Sequence, residues 1–179
     1  AGWSMGGLIA MNVAEQLKAA GEEIALLAMF DTYLSIAEFE ELDLDDQSVM
    51  RWIIPHLNLS ADELKALPFD QQWERIAQQA NLAEGIGAAE IRRLAEVCQA
   101  HLAAAASYQP KPYPGSAVLF KAEDPPEEPD PRWKSLCPEL RRESAPGNHY
   151  SMLRKPNADQ LAKRLDQCLA EAAERLGIR

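Results

Sequence analysis

Ser4 stands in Gly2-Trp3-Ser4-Met5-Gly6, a G-x-S-x-G pattern, with a further glycine at Gly7. Serine between glycines suits nucleophilic attack. The two flanking glycines let the chain turn sharply from strand to helix, where side chains would strike the backbone folded beside them, and the hydroxyl is left exposed. A serine nucleophile needs a base, and the base needs an acid to orient it. His149 is the histidine placed for this work: Pro146 and Gly147 predict a tight loop immediately after a strand, from which an imidazole reaches over a sheet. Two acids qualify, because Asp31 and Asp124 each follow an apolar run, at the carboxyl end of a strand where open α/β sheets place their ligands. Blander accounts exist for each residue. A glycine-rich helix start can hold an anion, an Asp-Thr pair can cap a turn, and His56 and His101 read as structural histidines within a helical region.

The surrounding pattern supplies elements to carry these residues. Leu8, Met11 and Ala14, with Ile9, Val13 and Leu17 nearby, recur at helical spacing directly after Ser4, and Gly21 fits the stop. Ile24 to Phe30 is an unbroken apolar run, which predicts a parallel strand covered on both faces. Two more strands are expected at Ala117 to Phe120 and Leu140 to Glu143, the first delivered by the rigid connector Pro110 to Gly115. Pro125 to Pro131 reads as an exposed loop, and Trp133 and Leu136 anchor the chain after it. A last helix from about Ala158 carries Leu161, Leu165, Cys168, Leu169, Ala172 and Leu176 on one stripe and stops at Gly177.

Between the first two strands, residues 35–108 read as a helical insertion. It holds apolar clusters at Val49, Trp52, Ile53 and Ile54 and at Trp73, Ile76 and Ala77. Ser60 and Glu63 form a capping signature, and a strong helix runs from about Ala88, with Ile91, Leu94, Ala95, Cys98, Leu102 and Ala105 on one face. Such a length exceeds what a crossover needs, so a lid over the carboxyl end of the sheet is expected.

With 179 residues, of which 47% are hydrophobic, and no internal repeat, the chain fits one globular domain. A formal net charge of -10 without a basic stripe disfavours nucleic acid, and no apolar run approaches membrane-spanning length, so no membrane is expected. Cys98, Cys137 and Cys168 are odd in number and lack C-x-x-C spacing, which suggests neither a disulfide framework nor a metal site and fits a cytoplasmic location.

The order Ser4, Asp31, His149 is the triad order of the α/β-hydrolases. Together with the long insertion, Trp133 and the Pro-Gly-Asn-His-Tyr-Ser-Met-Leu stretch, it makes the whole chain resemble the thioesterase domains that end nonribosomal peptide and polyketide synthetases. The Gly-x-His-x-x-Met-Leu segment is the more specific of the two motifs, and Trp3 and Gly7 resemble chain-terminating members over stand-alone editing enzymes. The resemblance implies an α/β-hydrolase fold, here the C-terminal portion of a mostly parallel sheet with an inserted helical lid. It implies acyl transfer from the phosphopantetheine arm of an acyl or peptidyl carrier domain through an acyl-Ser4 intermediate, with His149 as base. The acid maps to Asp31, on the strand after the nucleophile helix, and Met5 supplies an oxyanion-hole amide. The domain needs no cofactor of its own.

The chain departs from that family at its start, where the strand leading to Ser4 and the loop giving a second oxyanion amide are expected but absent. Without that strand, Ile24 to Phe30 is expected to be an uncovered edge. The residues are therefore expected to belong to a longer polypeptide or to need a second chain along this edge, and to lack thioesterase activity alone. Two other classes compete: a general carboxylesterase or peptidase with the same triad, separable by preference for acyl-pantetheine thioesters over simple esters, and a non-catalytic interaction module whose serine never reacts with a serine-hydrolase probe.

Overall fold

A computed structural model describes residues 1–34, 59–80, 87–126, 128 and 130–177. The expected cluster at Val49, Trp52, Ile53 and Ile54, and His56, lie outside these residues. The chain forms two compact units, one made of Ala1–Leu34 with Gln109–Arg179 and the other of Ser35–Tyr108.

The first unit is built on a parallel sheet in the order β1 (Gly2–Trp3), β2 (Leu27–Phe30), β3 (Ala117–Asp124) and β4 (Leu140–Asn148). Helix α1 (Met5–Ala19) comes after β1 and packs on β1 and β2, burying Leu8, Met11 and Ala14 while Ile9, Val13 and Leu17 stay exposed. The apolar residues Leu27–Phe30 of β2 and the apolar first half of β3, Ala117 to Phe120, match burial on both faces of a parallel sheet. Ala28, Val118, Phe120 and Ala122 join Ala145 of β4 and Met152 in one core cluster. The alternate residues Leu27, Met29 and Leu119 are buried as well, on the opposite side by the two-residue period of a strand.

Three strands were legible and a fourth exists. β1 is only two residues long, yet it pairs in parallel with β2, Gly2 with Met29 and Trp3 with Phe30. The edge expected along β2 is thus covered at its carboxyl end, beside the serine. β4 also runs further than expected. Pro146 and Gly147 do not end it in a loop, because the strand absorbs them in an irregularity: Ala122 pairs with Ala145, but Asp124 pairs with Asn148, so one extra residue is accommodated. Gly147 takes φ +88 there, and a Cβ on it would come within 2.4 Å of Asn157 Nδ2 and 2.5 Å of Ser151 Oγ. Pro146 has no N–H to give to a ladder and suits an edge strand.

The remaining helices of this unit are short α5 (Trp133–Leu136), which buries Trp133, and α6 (Asn157–Leu176). The described residues of the second unit form the helices α2 (Ala61–Lys65), α3 (Phe69–Ala80) and α4 (Ala88–Ser107). α6 places Leu161 and Cys168 in the core cluster, with Leu165 against it, whereas Leu169 and Leu176 of the expected stripe are exposed. The second unit has its own core of Leu59, Leu64, Trp73, Ile76, Ile91 and Ala95. Ser60 caps α2 with the expected capping box, accepting from the Glu63 N–H while the Glu63 carboxylate accepts from the Ser60 N–H. Leu94, expected on the buried face of α4, is exposed, as is His101.

Candidate active site

Every strand of the sheet delivers something to its carboxyl end. Ser4 comes directly after β1 with φ 55 and ψ -127, a backbone conformation that ordinary side chains rarely adopt. The sheet holds it there: the Ser4 N–H donates to the Phe30 carbonyl at 2.8 Å, and the Gly7 N–H donates to the Ser4 carbonyl at 3.0 Å. Strain of this kind persists only where the surroundings over-determine it. A Cβ on Gly2 would lie 1.9 Å from the Gly6 carbonyl oxygen, so the motif's first glycine is sterically required. Its second is not. A Cβ on Gly6 would meet nothing within 4 Å, whereas one on Gly7 would sit 1.9 Å from Thr32 Oγ1. The close approach thus falls one residue later than the pattern implies, where α1 meets the turn after β2.

Asp31 comes directly after β2, also at positive φ (44), with its N–H donating to the Phe120 carbonyl at 2.7 Å. Its carboxylate is 1% exposed and fully occupied. Oδ1 accepts from the Ala122 N–H at 3.1 Å and from the Lys121 ammonium at 2.9 Å; Oδ2 accepts from His149 Nδ1 at 2.6 Å and from the Tyr33 hydroxyl at 3.2 Å. Burial alone would push this carboxyl up. The hydrogen bonds from His149, Lys121 and Ala122, with the Lys121 charge, outweigh it and hold Asp31 well below the usual carboxylate range. Asp124 ends β3 exposed to solvent.

His149 comes directly after β4, with Nε2 3.0 Å from Ser4 Oγ. An ionised carboxylate only accepts, so the Nδ1 proton faces Asp31 and the Nε2 lone pair faces the serine hydroxyl. Its loop is tied from both sides. The Asn148 carboxamide oxygen accepts from the N–H groups of Tyr150 and Ser151, and the Ser151 hydroxyl accepts from the Asn148 N–H. Met152 is wholly buried beneath it. The Trp3 indole donates to the His149 carbonyl at 3.0 Å and its ring lies 4.8 Å from the imidazole. Tyr150 stands edge-on at 5.0 Å, its phenol pushed up by burial. Met5 is the first residue of α1, where an amide has no acceptor within the helix.

The structure therefore brings together Ser4, His149 and Asp31, which sequence reasoning singled out. It adds Lys121, Tyr33 and the positioning contact of Trp3. A lysine directly after the apolar run Ala117 to Phe120, still within the strand, was the available signal for Lys121; nothing local announced Tyr33. No group of three or more metal-ligating side chains occurs among the described residues, and no helix among them is long and apolar enough to cross a membrane.

Residues 1–169 match the family model described as thioesterase domain. The chain belongs to the thioesterase-domain family. The domain is 29% identical over 136 residues to a dimodular nonribosomal peptide synthase of Bacillus subtilis, an alignment covering 73% of the chain and 6% of the relative. It is 26% identical over 182 residues to a conidial pigment polyketide synthase of Pestalotiopsis fici, covering 90% and 8%. Among solved structures, it is similar to a four-domain nonribosomal peptide synthetase crystallised with AMP and glycine: TM-score 0.81, 26% identity, 93% of this chain and 14% of that one. The domain thus spans a small fraction of these relatives' length. Its fold is that of the α/β-hydrolase thioesterase domains.

Proposed function

We propose that this domain releases an acyl or peptidyl chain from the phosphopantetheine arm of a carrier domain, through an ester on Ser4. The observation that carries the proposal is the unbroken hydrogen-bonded line from Ser4 Oγ through the His149 ring to the buried Asp31 carboxylate. In the first half-reaction His149 Nε2 takes the Ser4 proton as Oγ attacks the thioester carbonyl; the C–S bond then breaks and the imidazolium protonates the departing thiolate. Asp31 holds the ring in the required tautomer and stabilises its cationic form. The Met5 amide, at the N-terminus of α1, donates to the oxyanion. Water, or a nucleophile within the acyl chain, then attacks the Ser4 ester with His149 again as base, giving hydrolysis or cyclisation.

Residues 35–108 act as a lid in this reading, supported by their forming a compact unit of their own. A carrier tethered in the same assembly presents its substrate at high effective concentration, so an acidic domain needs no strong patch for its partner. In this reading the reaction takes place in the cytoplasm, and the free thiols of Cys98, Cys137 and Cys168 accord with that.

The test is intact-protein mass spectrometry of the full-length polypeptide after exposure to an acyl-pantetheine thioester, with Ser4→Ala beside it. An acyl adduct on the native protein and none on the variant is expected. Undiminished acylation of Ser4→Ala overturns the assignment.

A further inference from the structure

The Asp31 carboxylate has two positively charged partners in prospect, not one. Lys121, on β3, places Nζ 2.9 Å from Oδ1 with its side chain 13% exposed, while His149 bonds Oδ2 on the other side. The ammonium also sits 3.7 Å above the centre of the Tyr33 ring, whose hydroxyl donates to Oδ2. It is thus gripped by a carboxylate and an aromatic face at once, a geometry that fixes a cation firmly. Further along β3, the Glu123 carboxylate accepts from the Ser144 hydroxyl of β4. Among the described residues, Ser4, Asp31, Trp3, Tyr33 and Tyr150 pack against the His149 ring.

The chemistry described above needs only the histidine's side of Asp31. A lysine on the other side has a definite consequence: charge it neutralises on the carboxylate is charge the imidazolium no longer sees. We infer that Lys121 is a positioning residue of the hydrolytic site, sharing the charge of Asp31 with His149 and thereby setting the pH range in which Ser4 reacts. The inference rests on the thioesterase reading. Its direction comes from the signs of the charges. The Lys121 ammonium and the ring share one carboxylate, on Oδ1 and Oδ2, so with the ammonium neutralised Asp31 turns its whole charge to the ring and the acid limb of Ser4 reactivity moves upward.

A fluorophosphonate probe reads this without knowledge of the natural acyl chain. Ser4 Oγ attacks phosphorus, the P–F bond breaks, fluoride leaves, and the serine proton passes to His149. The second-order labelling rate would be measured against pH in the full-length polypeptide for the native protein, Lys121→Gln, which keeps a donor without charge, Lys121→Met and Lys121→Arg. The Asp31 carboxyl resonance would be titrated by 13C NMR in parallel. The expected result is an acid limb moved up by about one pH unit in Lys121→Gln and Lys121→Met, unmoved in Lys121→Arg, with the Asp31 titration rising in the two neutral variants. A lysine that only braces the fold would lower the plateau and leave the limb in place, and that outcome overturns the inference. Should Lys121→Met fail to fold, Lys121→Gln carries the comparison alone. If the native protein is not labelled at all, the thioesterase reading fails, while the Asp31 titration still decides whether Lys121 carries its charge: an unmoved midpoint overturns the inference.

Discussion

Asp31→Asn is the most informative single change, because all four acceptor positions of the carboxylate face donors and a carboxamide can satisfy only one side. If the new NH2 group replaced Oδ1 it would confront the Ala122 N–H and the Lys121 ammonium, neither of which can turn into an acceptor. On the Oδ2 side it would face the Tyr33 hydroxyl, which can rotate, and His149 Nδ1, which becomes an acceptor by changing tautomer. The amide therefore turns its nitrogen toward the histidine. The ring proton moves to Nε2 and points at Ser4 Oγ, 3.0 Å away, and the base can no longer accept the serine proton. A correctly placed ring in the wrong tautomer costs about 10⁴-fold in rate, equivalent to about 5.5 kcal/mol of barrier. Labelling of Ser4 by a fluorophosphonate, timed by mass spectrometry near neutral pH, measures the loss, and circular dichroism checks that the variant is folded. A folded Asp31→Asn protein labelled within tenfold of the native rate would refute the tautomer argument.

The motif's two glycines should behave oppositely. Gly2→Ala drives a Cβ to 1.9 Å from the Gly6 carbonyl oxygen and should destabilise by about 3 kcal/mol, whereas Gly6→Ala meets open space inside a helix and should stabilise by about 0.5–1 kcal/mol; urea unfolding decides, and equal effects would contradict the geometry. Trp3→Phe keeps an aromatic ring beside His149 but loses the indole N–H bond to its carbonyl, so stability should fall by about 1 kcal/mol and Ser4 labelling should slow; an unchanged melting curve and rate would show the contact to be idle. Asp31 titrates lower in the folded state than its unfolded value of 3.8, so its contribution to stability is complete above that pH and is lost as pH falls below it toward the folded value. Acid unfolding monitored by fluorescence should accordingly be steeper below about pH 4 for the native protein than for Asp31→Asn, and parallel curves would count against it.

How far the sequence revealed this arrangement depended on whether a feature is local. Ser4 announces itself through its glycines and the helix after it, and His149 through the turn-forming residues before it. β1 did not, since two residues cannot show a period. The Pro146-Gly147 pair looked like a break and proved to be an irregular continuation of β4, because only the partner strand reveals that an extra residue can be absorbed. Gly6 and Gly7 are indistinguishable in sequence; the Thr32 side chain from another turn tells them apart. By position, Asp31 and Asp124 were equivalent strand ends, and the resemblance favoured Asp31, whose carboxylate lies 2.6 Å from the His149 ring. Lys121 and Tyr33 escaped notice because their importance lies in what they face across the sheet, which no window of sequence displays.

The histidine lies 118 residues beyond the acid along the chain. At a synthesis rate of about 5–20 residues per second, roughly 6–24 seconds separate the emergence of Asp31 from that of His149. Throughout that interval Ser4 has no imidazole beside it, so the nascent chain carries a hydroxyl without a base. Lys121 emerges in between, and with it a countercharge for Asp31 becomes available while the imidazole is still unmade. On the mechanism proposed above, order along the polypeptide thus acts as a safety catch: Ser4 gains its base only with the segment that follows β4.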